Sequence, residues 1–376
     1  MLASDMADEI IVATLEHDVV EALREALTLL LDKLIAAGRG PQHLLDMVWE
    51  VPEPAAFHPS RHLVDLAYRE VLIGFRPPIT LLRSSDPGLT VRARIAPAQP
   101  VPDKLVRGYS LPQLGRQYSP RLQADMLALF RQWSRDGDAY RATHPGLDLA
   151  YGEDRFETLD LFKPDGVERP PVWVLVHGGY WQASDKLQHA QFARGMVAAG
   201  YAVALPNYGL APDNSVARAV TQTVAALNFL AREADSLGVD GSRLHLCGHS
   251  AGAHLAAMAL CEPDAPRLRS ALLLSGLYEL EPLGHLPLGR LLGFDDPDYA
   301  MRLSPRRRPP PSNVRLELAV GEGESDEFKW QSAALADAWG VSAPLVVSGA
   351  NHFSLLDGLN GGSLLDLARS LATDEI

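Results

Sequence analysis

Between residues 8 and 97 short apolar runs alternate with two amphipathic stretches, a pattern that predicts strand, helix, strand, helix, strand, strand. Ile10 to Leu15 reads as the first strand. Over residues 19–37, Val20, Leu23, Ala26, Leu27, Leu30, Leu31 and Leu34 fall on one helical face, and Gly38 stops the helix. Leu45 to Val51 returns as a strand and Arg61 to Leu72 as a second helix. Pro78 to Arg83 and Leu89 to Ile95 read as a hairpin around Ser85, Asp86, Pro87 and Gly88. These elements make a small α+β domain over residues 1–97. Three prolines between Ala96 and Pro102 mark a linker, and the connecting segment 98–116 stays polar.

From residue 117 to 376 the pattern changes. Apolar strands at Thr158 to Phe162, Val172 to Val176, Ala202 to Pro206, Leu244 to Cys247, Leu316 to Val320 and Leu345 to Val347 alternate with helical stretches. Those stretches run through His189 to Ala199, through Ala219 to Leu237, and onward from Ala251. Such alternation predicts an α/β domain, a mostly parallel sheet with helices on both faces. A length of 376 residues accommodates both domains, and 47% apolar with 22% charged residues is ordinary globular composition.

Charge removes some classes of partner. A formal net charge of −13 speaks against nucleic acid, and the one dense basic run, Arg306, Arg307 and Arg308 between prolines, reads as a solvated loop. Apolar stretches are broken by charge before the ~20 residues of a membrane span. Acidic residues at 5, 8 and 9 stand where a secretory signal places positive charge. Two cysteines, Cys247 and Cys261, build neither a disulfide framework nor a cysteine-rich metal site. The expectation is a cytoplasmic protein.

The strongest chemical signal is Gly248-His249-Ser250-Ala251-Gly252, directly after an apolar strand and before a helix-forming run. In a G-x-S-x-G turn the serine is exposed on a strained bend, glycines leave room for the crossing strand and helix, and the helix N-terminus faces the developing oxyanion. Upstream, the strand Val172 to Val176 ends in His177-Gly178-Gly179-Tyr180-Trp181. Gly178 or Gly179 there can supply backbone N–H groups that join that of Ala251 in an oxyanion hole. After the serine come an acidic loop, Gly321-Glu322-Gly323-Glu324-Ser325-Asp326-Glu327, and then His352 behind the last strand. A histidine so placed can hydrogen-bond the serine while an acid fixes its tautomer. Spacing selects Glu324 as that acid, with Asp326 in reserve. Tyr180 and Trp181 either line an aryl pocket or pack against helices. His245, His249 and His254 sit on a strand, in the turn and on the helix, so no metal site is expected. Cys247 reads as packing.

These motifs resemble the kynurenine formamidase (arylformamidase) branch of the α/β-hydrolases over residues 107–376. HGGYW at 177–181, PNYGLAP at 206–212, GHSAGAH at 248–254, ESDEFKWQS at 324–332, NHF at 351–353 and QYSPR at 117–121 match in order. Two departures are the additional N-terminal domain and glutamate at 324 where aspartate is common. The N-terminal stretch, with AAGRGPQHLLDMVWEV and FHPSRHLVDLAYREVLIGFRPPITLL, resembles the RidA (YjgF) family of enamine and imine deaminases. That family holds a substrate carboxylate with an arginine just after a proline. Here Ile79 stands at the matching position and Arg76 lies on the other side of the prolines, so the resemblance implies a degenerate domain with an oligomerising role.

The resemblance implies acyl transfer from an aryl formamide such as N-formylkynurenine, with Ser250 as nucleophile, His352 as general base and Glu324 as the supporting acid. A carboxylesterase or an aryl amide or carbamate hydrolase is the alternative, and a second, deaminating activity in the N-terminal domain is a further one. No cofactor is called for, and the expected partner is a small aryl amide or ester.

Overall fold

The computed structural model describes residues 8–14, 19–37, 39, 43–54, 71–72, 77–86, 88–96, 105–120, 124 and 126–373. The expected helix 61–72 and the linker 97–102 lie outside them, apart from Val71 and Leu72. So do Gly38 and Arg76. The chain forms two compact units, one of residues 1–116 with 282–295, the other of 117–281 with 296–376.

In the first unit a four-stranded sheet runs in the order β1-β4-β2-β3, with β1 at Asp8–Thr14, β2 at Leu44–Val51, β3 at Ile79–Arg83 and β4 at Leu89–Ile95. Helix α1 (Val19–Ala36) buries Leu23, Ala26, Leu27, Leu30 and Leu34 against Met47, Trp49, Val91 and Ala93. The period-3.6 stripe meets the period-2 face of the strands, which is what drives this pair of layers together.

The expected hairpin does not form. β3 pairs in parallel with β2, whereas β4 lies on the other side of β2 and pairs antiparallel with it and with β1. The connection crosses beyond the end of β2, where Ser84 N–H donates to Val51 O at 2.8 Å. Burial explains the choice: β4 alternates inward Leu89, Val91, Ala93 and Ile95 with polar residues and suits an inner position, while every residue of β3 is exposed, as on an edge.

The second unit holds an eight-stranded sheet in the order β12-β11-β10-β9-β7-β8-β6-β5. Its strands are β5 (Leu147–Ala150), β6 (Thr158–Phe162), β7 (Pro171–Val176), β8 (Ala202–Pro206), β9 (Asp240–His249), β10 (Ser270–Leu274), β11 (Arg315–Gly321) and β12 (Leu345–Val347). The run from β12 to β8 is parallel, and β6 is antiparallel to both β8 and β5. Helices α2 (Met126–Thr143), α3 (Val216–Arg232), α4 (Ala251–Cys261), α5 (Asp326–Trp339) and α6 (Ser363–Ala372) complete the layers. Buried on both faces, the central strands are almost wholly apolar, and α4 is buried from Ala251 to Ala259. Five of these elements, α2, β5, β10, α5 and α6, lie outside those expected from the sequence.

Order reverses at β7 and β9. From β7 the chain proceeds to β8 on one side, and from β8 it returns to β9 on the other, so the loops leaving the carboxyl ends of these neighbours diverge. In an open parallel sheet such a switch point forms a crevice suited to a ligand. Among the described residues no helix is long and apolar enough to cross a membrane.

Arg306, Arg307 and Arg308 are not a solvated loop. They lie on and just after a short 3₁₀ turn, where Arg306 and Arg307 reach the buried carboxylate of Glu279 at 2.8 and 2.9 Å and Arg308 reaches Glu262 at 3.3 Å. A carboxylate taken out of water requires such partners.

Candidate active site

Four loops at the carboxyl ends of β7, β9, β11 and β12 meet at the switch point. β9 ends at His249, and Ser250 follows with φ of 57°, a left-handed conformation imposed by the immediate turn into α4. Its N–H donates to Leu274 O at 2.8 Å, tying the bend to β10. The glycines on either side fit that crossing: a Cβ on Gly248 would lie 2.3 Å from Gly252 O, and one on Gly252 would lie 2.1 Å from Val176 O.

His352 Nε2 lies 3.0 Å from Ser250 Oγ, and His352 Nδ1 lies 2.7 Å from Glu324 Oε2. Ser250, His352 and Glu324 are almost wholly shielded from solvent, at 3%, 2% and 4% exposure. A neutral imidazole bonded on Nδ1 to a carboxylate presents Nε2 as the acceptor for a hydroxyl proton. Burial opposes ionisation of Glu324, but the adjoining His352, with hydrogen bonds from His352, Ser275 and Gly321, outweighs it and holds the carboxyl below its ordinary range.

The other acids of the loop are exposed or paired elsewhere. Glu322 is exposed and accepts from Ser348 Oγ and Gly349 N–H; Asp326 is exposed at the first position of α5; Glu327 is buried and accepts from Tyr118 Oη at 2.7 Å.

The loop after β7 packs directly on this bend. A Cβ on Gly178 would lie 3.0 Å from His249 O and 3.1 Å from Ser250 Cβ, so only glycine lets the backbone come so near. Gly179, Tyr180 and Trp181 all have positive φ, at 112°, 50° and 58°, which coils the loop beside the serine. Tyr208 Oη donates to His177 O at 2.9 Å and fixes where the loop begins. Ala251 opens α4, so its N–H is one of those a helix leaves without an intrahelical acceptor. Gly178 thus brings the β7 loop against the serine, and Ala251 with its helix-terminal N–H follows the serine directly.

Trp181 is buried, and its Nε1 donates to His254 Nδ1 at 3.1 Å. Tyr180 is half-buried, and its hydroxyl donates to Tyr118 O at 2.6 Å. Tyr118 therefore joins the β7 loop to the acid loop, for Gln117 O also accepts from Ser325 Oγ at 2.6 Å. QYSPR carried that signal as a motif without showing what it touches.

The histidines near the serine do not converge. His245 Nδ1 faces Ser270 Oγ at 2.8 Å, His249 Nε2 donates to His352 O at 2.7 Å, and His254 Nε2 donates to Leu303 O at 2.7 Å. Trp181 can only donate and Leu303 O can only accept, so His254 is a neutral Nε2–H tautomer. Burial accordingly pulls it down to about 4, and burial together with nearby His352 pulls His249 down to about 3. Among the described residues no cluster of three His, Cys, Asp or Glu is placed to hold a metal. Cys247 is buried within β9, which pushes its thiol well up and leaves it a packing group.

Comparison with known proteins agrees with this architecture. The family described as BD-FAE matches residues 159–272. Kynurenine formamidase of Danio rerio is 30% identical over 261 residues, covering 65% of this chain and 87% of that protein. Its counterpart of Salmo salar is 30% identical over 274 residues, covering 66% and 92%. A solved protein of Silicibacter sp. TM1040 is 29% identical with a TM-score of 0.63, over 69% of this chain and 98% of that one. An esterase of Pyrobaculum calidifontis, 20% identical with a TM-score of 0.52 over 69% and 95%, shares the fold. The fold is that of the α/β-hydrolases.

Proposed function

We propose, from the premise that this chain belongs to the kynurenine formamidase family, that it cleaves an aryl formamide such as N-formylkynurenine to formate and the free aryl amine. That it is a hydrolase of the serine-hydrolase type, acting on a small amide or ester, follows from its relatives. The identity to the kynurenine formamidases supports the formamide substrate, and one observation carries the mechanism: buried Ser250 Oγ, His352 and the Glu324 carboxylate are joined in sequence at 3.0 and 2.7 Å.

Ser250 Oγ attacks the formyl carbon while His352 Nε2 takes its proton. The carbonyl π pair moves onto oxygen, which accepts from the N–H groups of Gly178 or Gly179 and Ala251. When the tetrahedral intermediate collapses, the C–N bond breaks and His352 returns its proton to the departing aniline nitrogen. Water, deprotonated by His352, then frees formate from Ser250. Glu324 holds the imidazole on Nδ1 and balances the charge of the imidazolium in both steps. These parts serve an ester equally well, and the esterases of the same fold make an aryl ester or carbamate the second reading.

The test is kcat/KM for N-formylkynurenine beside p-nitrophenyl acetate and butyrate, for the wild type and Ser250→Ala. Preference for formylkynurenine by orders of magnitude, lost in the variant, sustains the formamidase reading. Preference for the simple esters transfers the reading to an esterase.

For the remainder of the chain we propose a degenerate RidA-like domain over residues 1–97, joined through 98–116 to the hydrolase domain 117–376, and serving to form a homo-oligomer. Ile79, the exposed first residue of β3, stands where that family uses its arginine. Light scattering on the full chain gives its mass in solution, and a monomer overturns the oligomeric role. Enamine hydrolysis that survives in Ser250→Ala overturns the degenerate one.

A further inference from the structure

Ser275, one residue beyond β10, belongs to none of the motifs that mark the site. It is fully buried and has φ of 48°, a left-handed backbone that a residue with a Cβ rarely adopts. Its N–H donates to Ala319 O of β11 at 2.9 Å, which anchors it between the two strands. Its hydroxyl donates to Glu324 Oε1. The same oxygen accepts from Gly321 N–H at 2.9 Å, leaving Oε2 for His352 Nδ1 at 2.7 Å. The carboxylate is therefore held by three donors, and the serine supplies the only hydroxyl among them. The titratable groups around it are His352 from the loop after β12, His249 from the bend after β9, and Tyr278 from the segment after β10.

Glycine is the residue a left-handed position ordinarily favours, and the chain places one directly after, at Gly276. Serine at 275 accepts the backbone conformation and in return directs a donor at the acid. We infer that Ser275 is a positioning residue of the hydrolytic site, whose hydroxyl pins Glu324 Oε1 so that Oε2 faces His352 as a fixed, charged acceptor. The inference rests on the reading of Ser250, His352 and Glu324 as the catalytic machinery. A carboxylate freed on one oxygen can rotate away from Nδ1, and one with fewer donors is more basic and holds an imidazolium proton more tightly.

The experiment compares Ser275→Gly and Ser275→Ala with the wild type in kcat and KM across pH, using p-nitrophenyl acetate and N-formylkynurenine, with melting temperatures alongside. Ser275→Gly removes the hydroxyl and relaxes the backbone, so it separates the hydrogen bond from the strain. Expected in both variants is a fall in kcat of roughly ten- to a hundredfold with KM within about twofold. The acid limb of the kcat/KM profile moves to higher pH by roughly half a unit. Melting of the Gly variant stays at or above that of the Ala variant, because both lose the hydroxyl and only glycine relieves the left-handed backbone.

A Gly variant with kcat within about twofold and an unmoved acid limb overturns the inference. So does an equal loss at every pH that follows a lowered melting temperature, which is the mark of a merely structural serine. Activity persisting in Ser250→Ala is a separate outcome, which removes the underlying reading of the machinery and this inference together.

Discussion

His249 Nε2 donates to the backbone carbonyl of His352 at 2.7 Å, so the residue beside the nucleophile holds the main chain of the residue that faces it. Their rings are 4.8 Å apart. The bend after β9 and the loop after β12 are thereby locked to each other from within. An imidazolium at 249 would repel one at 352, and burial together with nearby His352 keeps His249 neutral by pulling it down to about 3.

Replacing His249 should therefore affect turnover more than binding. His249→Ala is expected to lower kcat roughly ten- to a hundredfold with a small change in KM, and His249→Gln, which keeps a donor, to recover part of the loss. Steady-state kinetics on either substrate provides the check, and equal kinetics in the Ala variant and the wild type would refute the link.

The acid loop offers a sharper comparison. Glu324→Gln is expected to reduce kcat/KM by roughly two to four orders of magnitude, since it offers His352 Nδ1 the wrong partner or none. Asp326→Asn, exposed at the start of α5, should remain within about threefold. If the Asp326 variant proves the more damaged, the assignment of the acid is wrong.

Gly178→Ala tests the loop after β7. Its Cβ would press on His249 O at 3.0 Å and Ser250 Cβ at 3.1 Å, so the loop shifts against the serine and carries the proposed oxyanion donors with it. A loss in kcat of roughly a hundredfold is expected, with little change in melting temperature. Undiminished turnover would separate this loop from the chemistry.

Buried histidines predict the response to acid. Burial depresses His177, His189, His249 and His254, the last three to about 3, 3 and 4. An unfolded histidine takes up a proton near 6.5, so between that pH and the folded value the unfolded chain binds more protons. The stability contributed by these groups is present above about 6.5 and is lost as pH falls towards 4. Each contributes a slope of up to about 1.4 kcal/mol per pH unit. His189→Phe, in a pocket formed with Trp133 and Phe192, should flatten the dependence, as read by denaturant unfolding between pH 7.5 and 4.5. An unchanged slope would show that His189 does not contribute.

How much was legible depended on distance along the chain. Gly248 to Gly252 and His177 to Trp181 are local patterns: a strand end, a steric demand for glycine and a helix start fall within a few residues of one another, so the pattern and its structural consequence coincide. His352 was legible as a histidine behind the last strand. The α/β class of the second unit was equally legible, because alternating apolar runs and amphipathic helices lead to a mostly parallel sheet covered on both faces, while the hydrolase fold was implied by the resemblance of the motifs.

Tertiary structure decided what depends on partners remote in sequence. Four acids between residues 322 and 327 share one loop, and only the fold turns Glu324 to His352, Glu327 to Tyr118 and Glu322 to Ser348. Arg306 and Arg307 carried no sign of Glu279, 27 and 28 residues away, whose burial calls for them. β3 and β4 resembled a hairpin because a turn-forming segment joins them, yet strand pairing is chosen by which faces are buried, and β2 came between them. Ser275 was silent for the same reason. A serine after an apolar strand has no pattern of its own, and its role arises only where β10 and β11 lie side by side and bring its hydroxyl to the acid. Sequence by itself determined the α/β class of the second unit and the local bends that carry the chemistry. Pairing across the chain, which depends on burial and on three-dimensional proximity, was settled only on folding.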